Sequence, residues 1–222
     1  MADSVANLTV HGVGKAGRAL EPGEDRTWVT ITQFEQVLDT MVGRTDVQLT
    51  FDDGNASDLE IALPRLLERG LTAEFFVLAG CLGEPGRLDA AGVRELAAAG
   101  MRIGSHGWAH RDWRRIDDGQ AVEEMIHARR VLEKLTGQGV CRVAIPFGSY
   151  DRHVLRRLKQ VKAARVYTSD GGRARSNSWL QPRTSLHHGI GPEWTRQLID
   201  GKPSTWSRTR GLAARTVKRL RG

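Results

Sequence analysis

Short apolar runs alternate with segments of helical periodicity along nearly the whole chain, and this alternation restricts the fold more than any other feature. "NLTVHGVG" reads as a strand running into a glycine loop, and Thr30 can cap a helix whose apolar residues Phe34, Val37, Leu38 and Met41 recur at helical spacing. "VQLTF" is the next strand, followed by a helix over residues 57–69 in which Pro64 predicts a kink or restart and Gly70 the stop. "LTAEFFVLAG", "MRIGSHG", "VCRVAIPFGSYD", "ARVYTSDGG" and "WLQPRTSLHH" supply further strands. Between them lie a helix capped by Asp89, a long helix in "AVEEMIHARRVLEKLTG" with Val122, Met125, Ile126, Arg129 and Leu132 on one side, and another in "DRHVLRRLKQV". Two weaker helical pieces finish the chain. This order predicts parallel strands joined by crossover helices, an α/β fold closed or nearly closed into a barrel. At 222 residues and 40% hydrophobic, the chain suits one such domain over residues 1–200, followed by a basic tail over residues 201–222.

Polar residues gather where the strands end, in "TFDDG", "GSHGWAH", "IPFGSYD", "YTSDGG" and "RTSLHH". In a parallel barrel these ends form one rim, where side chains distant in sequence meet. Asp52 and Asp53 repel each other as neighbours, yet side chains alternate across a strand, so the two need not share one environment. One carboxylate can ligate a metal while the other stays free to take a proton from water. His106 and His110, four positions apart, place two imidazoles on one side of a helical turn. Two histidines and an aspartate leave room for water in an open site that lowers its pKa to about 7, which points to a hydrolase. Trp108 and Trp113 are candidates for stacking on a sugar ring or members of the core. His11 ends the first strand near the same rim, whereas His127 and His153 fall in helices.

"TFDDG", "SHGWAH" and "IPFGSYD", in this order, resemble the first three motifs of the polysaccharide deacetylase family, the NodB-like carbohydrate esterases of family 4, over roughly residues 8–188. The resemblance implies a distorted (β/α) barrel of about seven parallel strands and metal-dependent removal of acetyl groups from N-acetylated sugars of a polysaccharide or its precursor. It implies Asp52 as general base, and Asp53, His106 and His110 as ligands of a divalent metal, zinc foremost. It makes the backbone at Phe147 a candidate donor to the oxyanion. The family's third motif opens with an arginine that orients the base; Ala144 stands there, and Arg183 in "LQPRTSL" is the candidate substitute. The fourth motif retains Asp170 without the following Asp-Trp. The fifth, Leu-x-His, is matched by Leu186 and His188, which makes His188 the general acid with His187 as competitor. A hydrolase of another non-peptide C–N bond and a non-catalytic carbohydrate-binding homologue are the alternatives.

The net charge of +7 lies mostly in residues 203–222, which hold Arg208, Arg210, Arg215, Lys218, Arg219 and Arg221 and no acid. Trp206, Ala213, Val217 and Leu220 form an apolar stripe there, so the tail reads either as a helix packed on the barrel or as a cationic helix drawn to an anionic membrane surface or an acidic partner. No motif that reads nucleic acid accompanies it. The N-terminus lacks a cationic leader before an apolar run, and no stretch of about 18 apolar residues could span a bilayer. A cytoplasmic location is expected, peripheral at the inner membrane face if the tail binds there. Cys81 and Cys141, without CxxC spacing, read as core thiols rather than a zinc cluster or a disulfide.

Overall fold

The computed structural model describes residues 4–201. Its strands are β1 (Ser4–Val10), β2 (Gly12–Val13), β3 (Trp28–Val29), β4 (Val47–Asp53), β5 (Ala73–Val77), β6 (Arg102–Ser105), β7 (Arg142–Ala144), β8 (Arg165–Thr168), β9 (Arg173–Arg175), β10 (Leu180–Pro182) and β11 (Thr184–Ser185). Its α-helices are α1 (Ile31–Met41), α2 (Leu63–Glu68), α3 (Ala90–Ala98), α4 (Asp118–Val122), α5 (Ala128–Thr136), α6 (Arg152–Gln160) and α7 (Pro192–Ile199). The expected basic tail lies, apart from its first residue, outside the described residues. Among the described residues no helix is long and apolar enough to cross a membrane.

Helices α1, α3, α4 and α6 begin where a side chain satisfies a free N–H group. Thr30 Oγ1 accepts the Gln33 N–H and the Gln33 side chain accepts the Thr30 N–H, a capping box, behind which Phe34, Val37, Leu38 and Met41 are buried. Asp89 caps α3 through the Gly92 N–H. A π-helical turn at Asp58–Ala62 runs directly into α2, whose first turn holds Pro64. A second π-helical turn, Glu123–His127, links α4 to α5. Met125 and Leu132 are buried as expected on this long helix, but Val122 is 54% exposed, and Ala121, Glu124 and Ala128 complete the buried side in its place. Hydropathy assigns Glu124 to solvent and Val122 to the core, and the fold reverses that pair.

Eight strands pair in parallel in the order β10-β8-β7-β6-β5-β4-β1-β11. The count exceeds the expected seven because the last strand breaks at Arg183. Its first part pairs with β8 (Leu180↔Val166, Pro182↔Thr168), and its second with β1 (Leu8↔Thr184, Thr9↔Ser185). One continuous segment thus joins the two edges of the sheet and closes the barrel. β9 adds an antiparallel pairing to the start of β1, and β2 pairs with β3; the sequence pattern signalled none of these short strands.

Side chains alternate across the barrel wall. Leu8, Val10, Leu49, Phe51, Phe75 and Val77 join the main core shared with the helices, with Phe51 and Phe75 stacked at 4.4 Å. The intervening residues are buried and largely polar. The Thr9 and Thr50 hydroxyls lie 3.1 Å apart, Asn7 donates to Gln181 Oε1 at 3.0 Å, and Arg142 donates to Glu74 at 3.1 Å and to the Tyr167 hydroxyl at 3.2 Å. At Gly104 a Cβ would collide with the Phe76 ring, so the interior needs glycine there. Cys81 is half-buried and Cys141 exposed, both free. Cys141 is therefore not a core thiol; it lies just before β7 begins.

Candidate active site

The strand ends deliver the site. Asp52 stands two residues beyond Thr50 and faces inward with it, while alternation would send Asp53 to the other side of β4. A left-handed φ of 76° at Asp53 turns its side chain back. The two carboxylates therefore do share one environment: His106 Nε2 is 3.4 Å from Asp53 Oδ1 and 3.9 Å from Asp52 Oδ2. A non-glycine residue in this region is uncommon, and such strain is typically held at functional sites.

His106 follows β6 and is 2% exposed. Its Nδ1 lies 3.0 Å from the Ala144 carbonyl oxygen, so a proton on Nδ1 leaves the Nε2 lone pair directed at the acids. His110 Nε2 lies 3.6 Å from Asp53 Oδ1. Burial, reinforced by His106, pushes the His110 imidazole below its ordinary pKa and favours the neutral form that ligates metals. Asp53, His106 and His110 present ligand atoms within 4.8 Å of one another, and Asp53 Oδ1 is buried with no hydrogen-bond partner. Two imidazole nitrogens beside an unsatisfied carboxylate oxygen fit a divalent cation with a position open for water.

Asp52 is 3% exposed and gripped by Arg183, whose Nη1 and Nη2 each donate to one carboxylate oxygen at 2.6 Å. Burial alone would raise the Asp52 carboxyl, but the charge and hydrogen bonds of Arg183 outweigh it and hold the group well below the usual carboxylate range. Arg183 Nη1 also donates to Thr50 Oγ1 at 3.1 Å. Its guanidinium lies 5.3 Å from the Phe76 ring and 5.8 Å from the Tyr167 ring, the same pair that packs against Ala144. A small residue at position 144 thus accompanies an arginine that reaches Asp52 from the closing strand. Asp58 is a further buried acid, with neither carboxyl oxygen hydrogen-bonded; burial first, then the charge of Asp53, pushes its pKa well up.

Asp52, Asp53, His106 and His110 line a cleft of about 240 Å³ whose wall also includes His11 and Phe147. His11, at the end of the first strand, thus reaches the rim itself, and its Nδ1 is buried without a hydrogen-bond partner. Phe147 adopts a φ of 58°, is 58% exposed, and sets its ring 4.2 Å from that of His110.

Other expected site residues lie elsewhere. His188 is exposed, with its backbone N–H and Nδ1 both on the Arg26 carbonyl oxygen, and it does not line the cleft. Gln33 donates to the carbonyl oxygens of His188 and Ile190 at 2.7 and 3.1 Å, tying this loop to α1. His187 sits edge-on to Trp194, 5.2 Å away. Trp108 stacks on His127 at 4.9 Å and packs against the main core instead of the cleft, and Trp113 is fully buried. Asp170 accepts hydrogen bonds from the Tyr150 hydroxyl at 2.7 Å and from Thr168 at 2.8 Å.

Known proteins share both fold and sequence with this chain. It is 27% identical over 168 residues to the chitooligosaccharide deacetylase of Bradyrhizobium sp., covering 72% of this chain and 73% of that protein. It is also 27% identical over 132 residues to the peptidoglycan-N-acetylglucosamine deacetylase of Bacillus cereus, covering 56% and 46%. The chain spans about half the length of the Bacillus relatives that it matches. The Streptococcus pyogenes deacetylase PplD, solved in complex with acetate, superposes with a TM-score of 0.77 at 21% identity, covering 88% of this chain and 98% of that one, which shows the shared fold. Residues 40–166 match the polysaccharide deacetylase family, more than half of the sequence, and the chain belongs to that family of NodB-like carbohydrate esterases.

Proposed function

We propose that this chain removes acetyl groups from N-acetylated sugars of a polysaccharide or glycan precursor, with a divalent cation, zinc foremost, held by Asp53, His106 and His110. One observation carries the reading: in a single cleft, a carboxylate locked by Arg183 stands beside the Asp53, His106 and His110 cluster. Family membership and the likeness to peptidoglycan and chitooligosaccharide deacetylases support the substrate class.

A cation bound there supplies Lewis-acid polarisation of the acetyl carbonyl and a lowered water pKa. The protein's own groups orient and move protons. Asp52, ionised and held by two N–H donors, takes a proton from water as the water oxygen bonds to the carbonyl carbon. The backbone N–H of Phe147, carried by a left-handed turn at the rim, is the donor assigned to the developing oxyanion. His11, lining the cleft where His188 does not, is assigned the acid role. It donates a proton to the sugar nitrogen as the C–N bond breaks, leaving acetate and a free amine. Product analysis tests the reaction: zinc-loaded protein acting on N-acetylated oligosaccharides is expected to yield acetate and amine in equal amounts. Cleavage of cyclic amides without acetate would indicate another C–N hydrolase, and sugar binding without turnover would indicate a non-catalytic protein.

A further inference from the structure

Glu124 is 0% exposed and sits on the π-helical turn Glu123–His127. Burying a carboxylate is costly unless its oxygens are paired, and here every partner lies on or just beyond the loop that holds His106 and His110. Oε2 accepts the Trp108 backbone N–H at 2.9 Å and the Trp113 indole N–H at 3.1 Å. Oε1 accepts the Ala109 backbone N–H at 3.0 Å and the Arg111 guanidinium at 3.3 Å. The loop reverses through two left-handed residues, Gly107 (φ 94°) and His110 (φ 54°), which flank the two N–H groups that Glu124 binds. A Cβ at Gly107 would run into the Glu124 carboxylate, so loop and acid fit each other closely. The helix departs from α-geometry at this turn, as π-turns often do at functional sites.

We infer that Glu124 is a positioning residue for the cation site: its carboxylate templates the chain reversal between His106 and His110 and so sets how the two imidazoles face Asp53. The inference rests on the reading of Asp53, His106 and His110 as metal ligands. Nothing in the helix itself requires an acid there, since the same position on the buried side of α4 and α5 is otherwise filled by Ala121, Met125, Ala128 and Leu132. The structural signature is an acid whose hydrogen bonds all leave its own helix for the ligand loop.

The test is metal binding by the full chain, independent of turnover. Zinc affinity by chelator competition and the visible spectrum of the cobalt(II)-substituted protein are compared for wild type, Glu124→Gln and Arg111→Met. Glutamine offers one acceptor where glutamate offers two, so the Ala109 N–H and Arg111 lose their acceptor or meet a second donor. Glu124→Gln is expected to keep the wild-type far-UV circular dichroism yet bind zinc about 10- to 100-fold more weakly, as loss of a supporting group beyond the ligands commonly does, with an altered cobalt spectrum. Arg111→Met removes only the cation and keeps both backbone contacts, so a change of about threefold or less is expected on the same scale. A folded Glu124→Gln with wild-type affinity and spectrum overturns the inference. If that variant does not fold, Gly107→Ala, which presses the loop against an intact carboxylate, must show the affinity loss, and an unchanged value overturns the inference equally. Wild-type protein that binds neither metal would instead refute the metal site itself.

Discussion

Arg183 meets both oxygens of Asp52 with a planar pair of donors, a geometry that a lysine ammonium cannot reproduce. Arg183→Lys is expected to fold and to lower kcat about 100-fold, the scale of a misplacement of ~1 Å, while KM stays near wild type. Steady-state kinetics on protein checked by circular dichroism decides this, and an unchanged kcat would remove Arg183 from the positioning role. The acid is open to a paired comparison. His11→Gln is expected to lose about 100-fold or more in kcat, and His188→Gln to remain close to wild type; the reverse pattern would return the role to His188. Asp52, Asp53, His106 and His110 were legible because their motifs fall at strand ends, where a barrel gathers side chains. His188 was not, because a Leu-x-His match is silent on where the chain turns next. Leu186 donates its N–H to the Thr9 carbonyl oxygen at 2.8 Å, and the loop then leaves the rim for α1. Asp53 shows the same limit from the other direction, since spacing alone could not reveal the backbone φ that brings it beside Asp52.

Among the elements, β4 owes its placement to the clamp at its start as well as to its ladders. Asp46 accepts Arg44 at 3.0 and 3.1 Å and Arg173 at 2.8 Å, while Arg173 also donates to the carbonyl oxygens of Ser4 and Ile199. One carboxylate thereby ties the start of β4 to β1, β9 and α7. Hydrogen bonds from Arg44, acting against burial and joined by Arg173, hold the Asp46 carboxyl down to about 2. A depressed carboxyl contributes its full stabilisation above the unfolded value of 3.8, and that contribution disappears as pH falls through the folded value. The side chain is 39% exposed, so screening reduces the contribution to about 1 kcal/mol or less. Asp46→Asn is expected to lower Tm at pH 7 by about 2–4 °C, with the gap to wild type closing between roughly pH 4 and 2. Thermal melts across that range check it; a gap independent of pH would contradict the clamp. The strand and helix order was legible from periodicity, but the break at Arg183 was not, because a one-residue handover between two partners leaves the hydropathy pattern unaltered. Val122 and Glu124 show a related limit: hydropathy assigns the acid to solvent and the valine to the core, and the fold reverses that pair.

The described residues form a barrel with a polar interior and an apolar jacket, and the candidate site sits where that interior reaches the rim. Period-2 alternation places Thr50 and Asp52 inside β4 and Leu49 and Phe51 outside, so the wall that builds the core also aims the base. Closure by residues 180–185 then brings Arg183 to Asp52 across 131 positions of sequence. The excess positive charge gathers in residues 203–222, outside the described residues. What remains central is whether the Arg183-held carboxylate and the neighbouring Asp53, His106 and His110 cluster act together. The most direct measurement is acetate release from N-acetylated oligosaccharides by chelator-stripped and zinc-restored protein, wild type beside Asp52→Asn at equal zinc occupancy. Stripped protein is expected to be silent, zinc to restore wild-type release, and Asp52→Asn to bind zinc yet turn over between about 10²- and 10⁴-fold more slowly. Zinc-loaded Asp52→Asn releasing acetate at the wild-type rate, or stripped protein as active as restored protein, would contradict it.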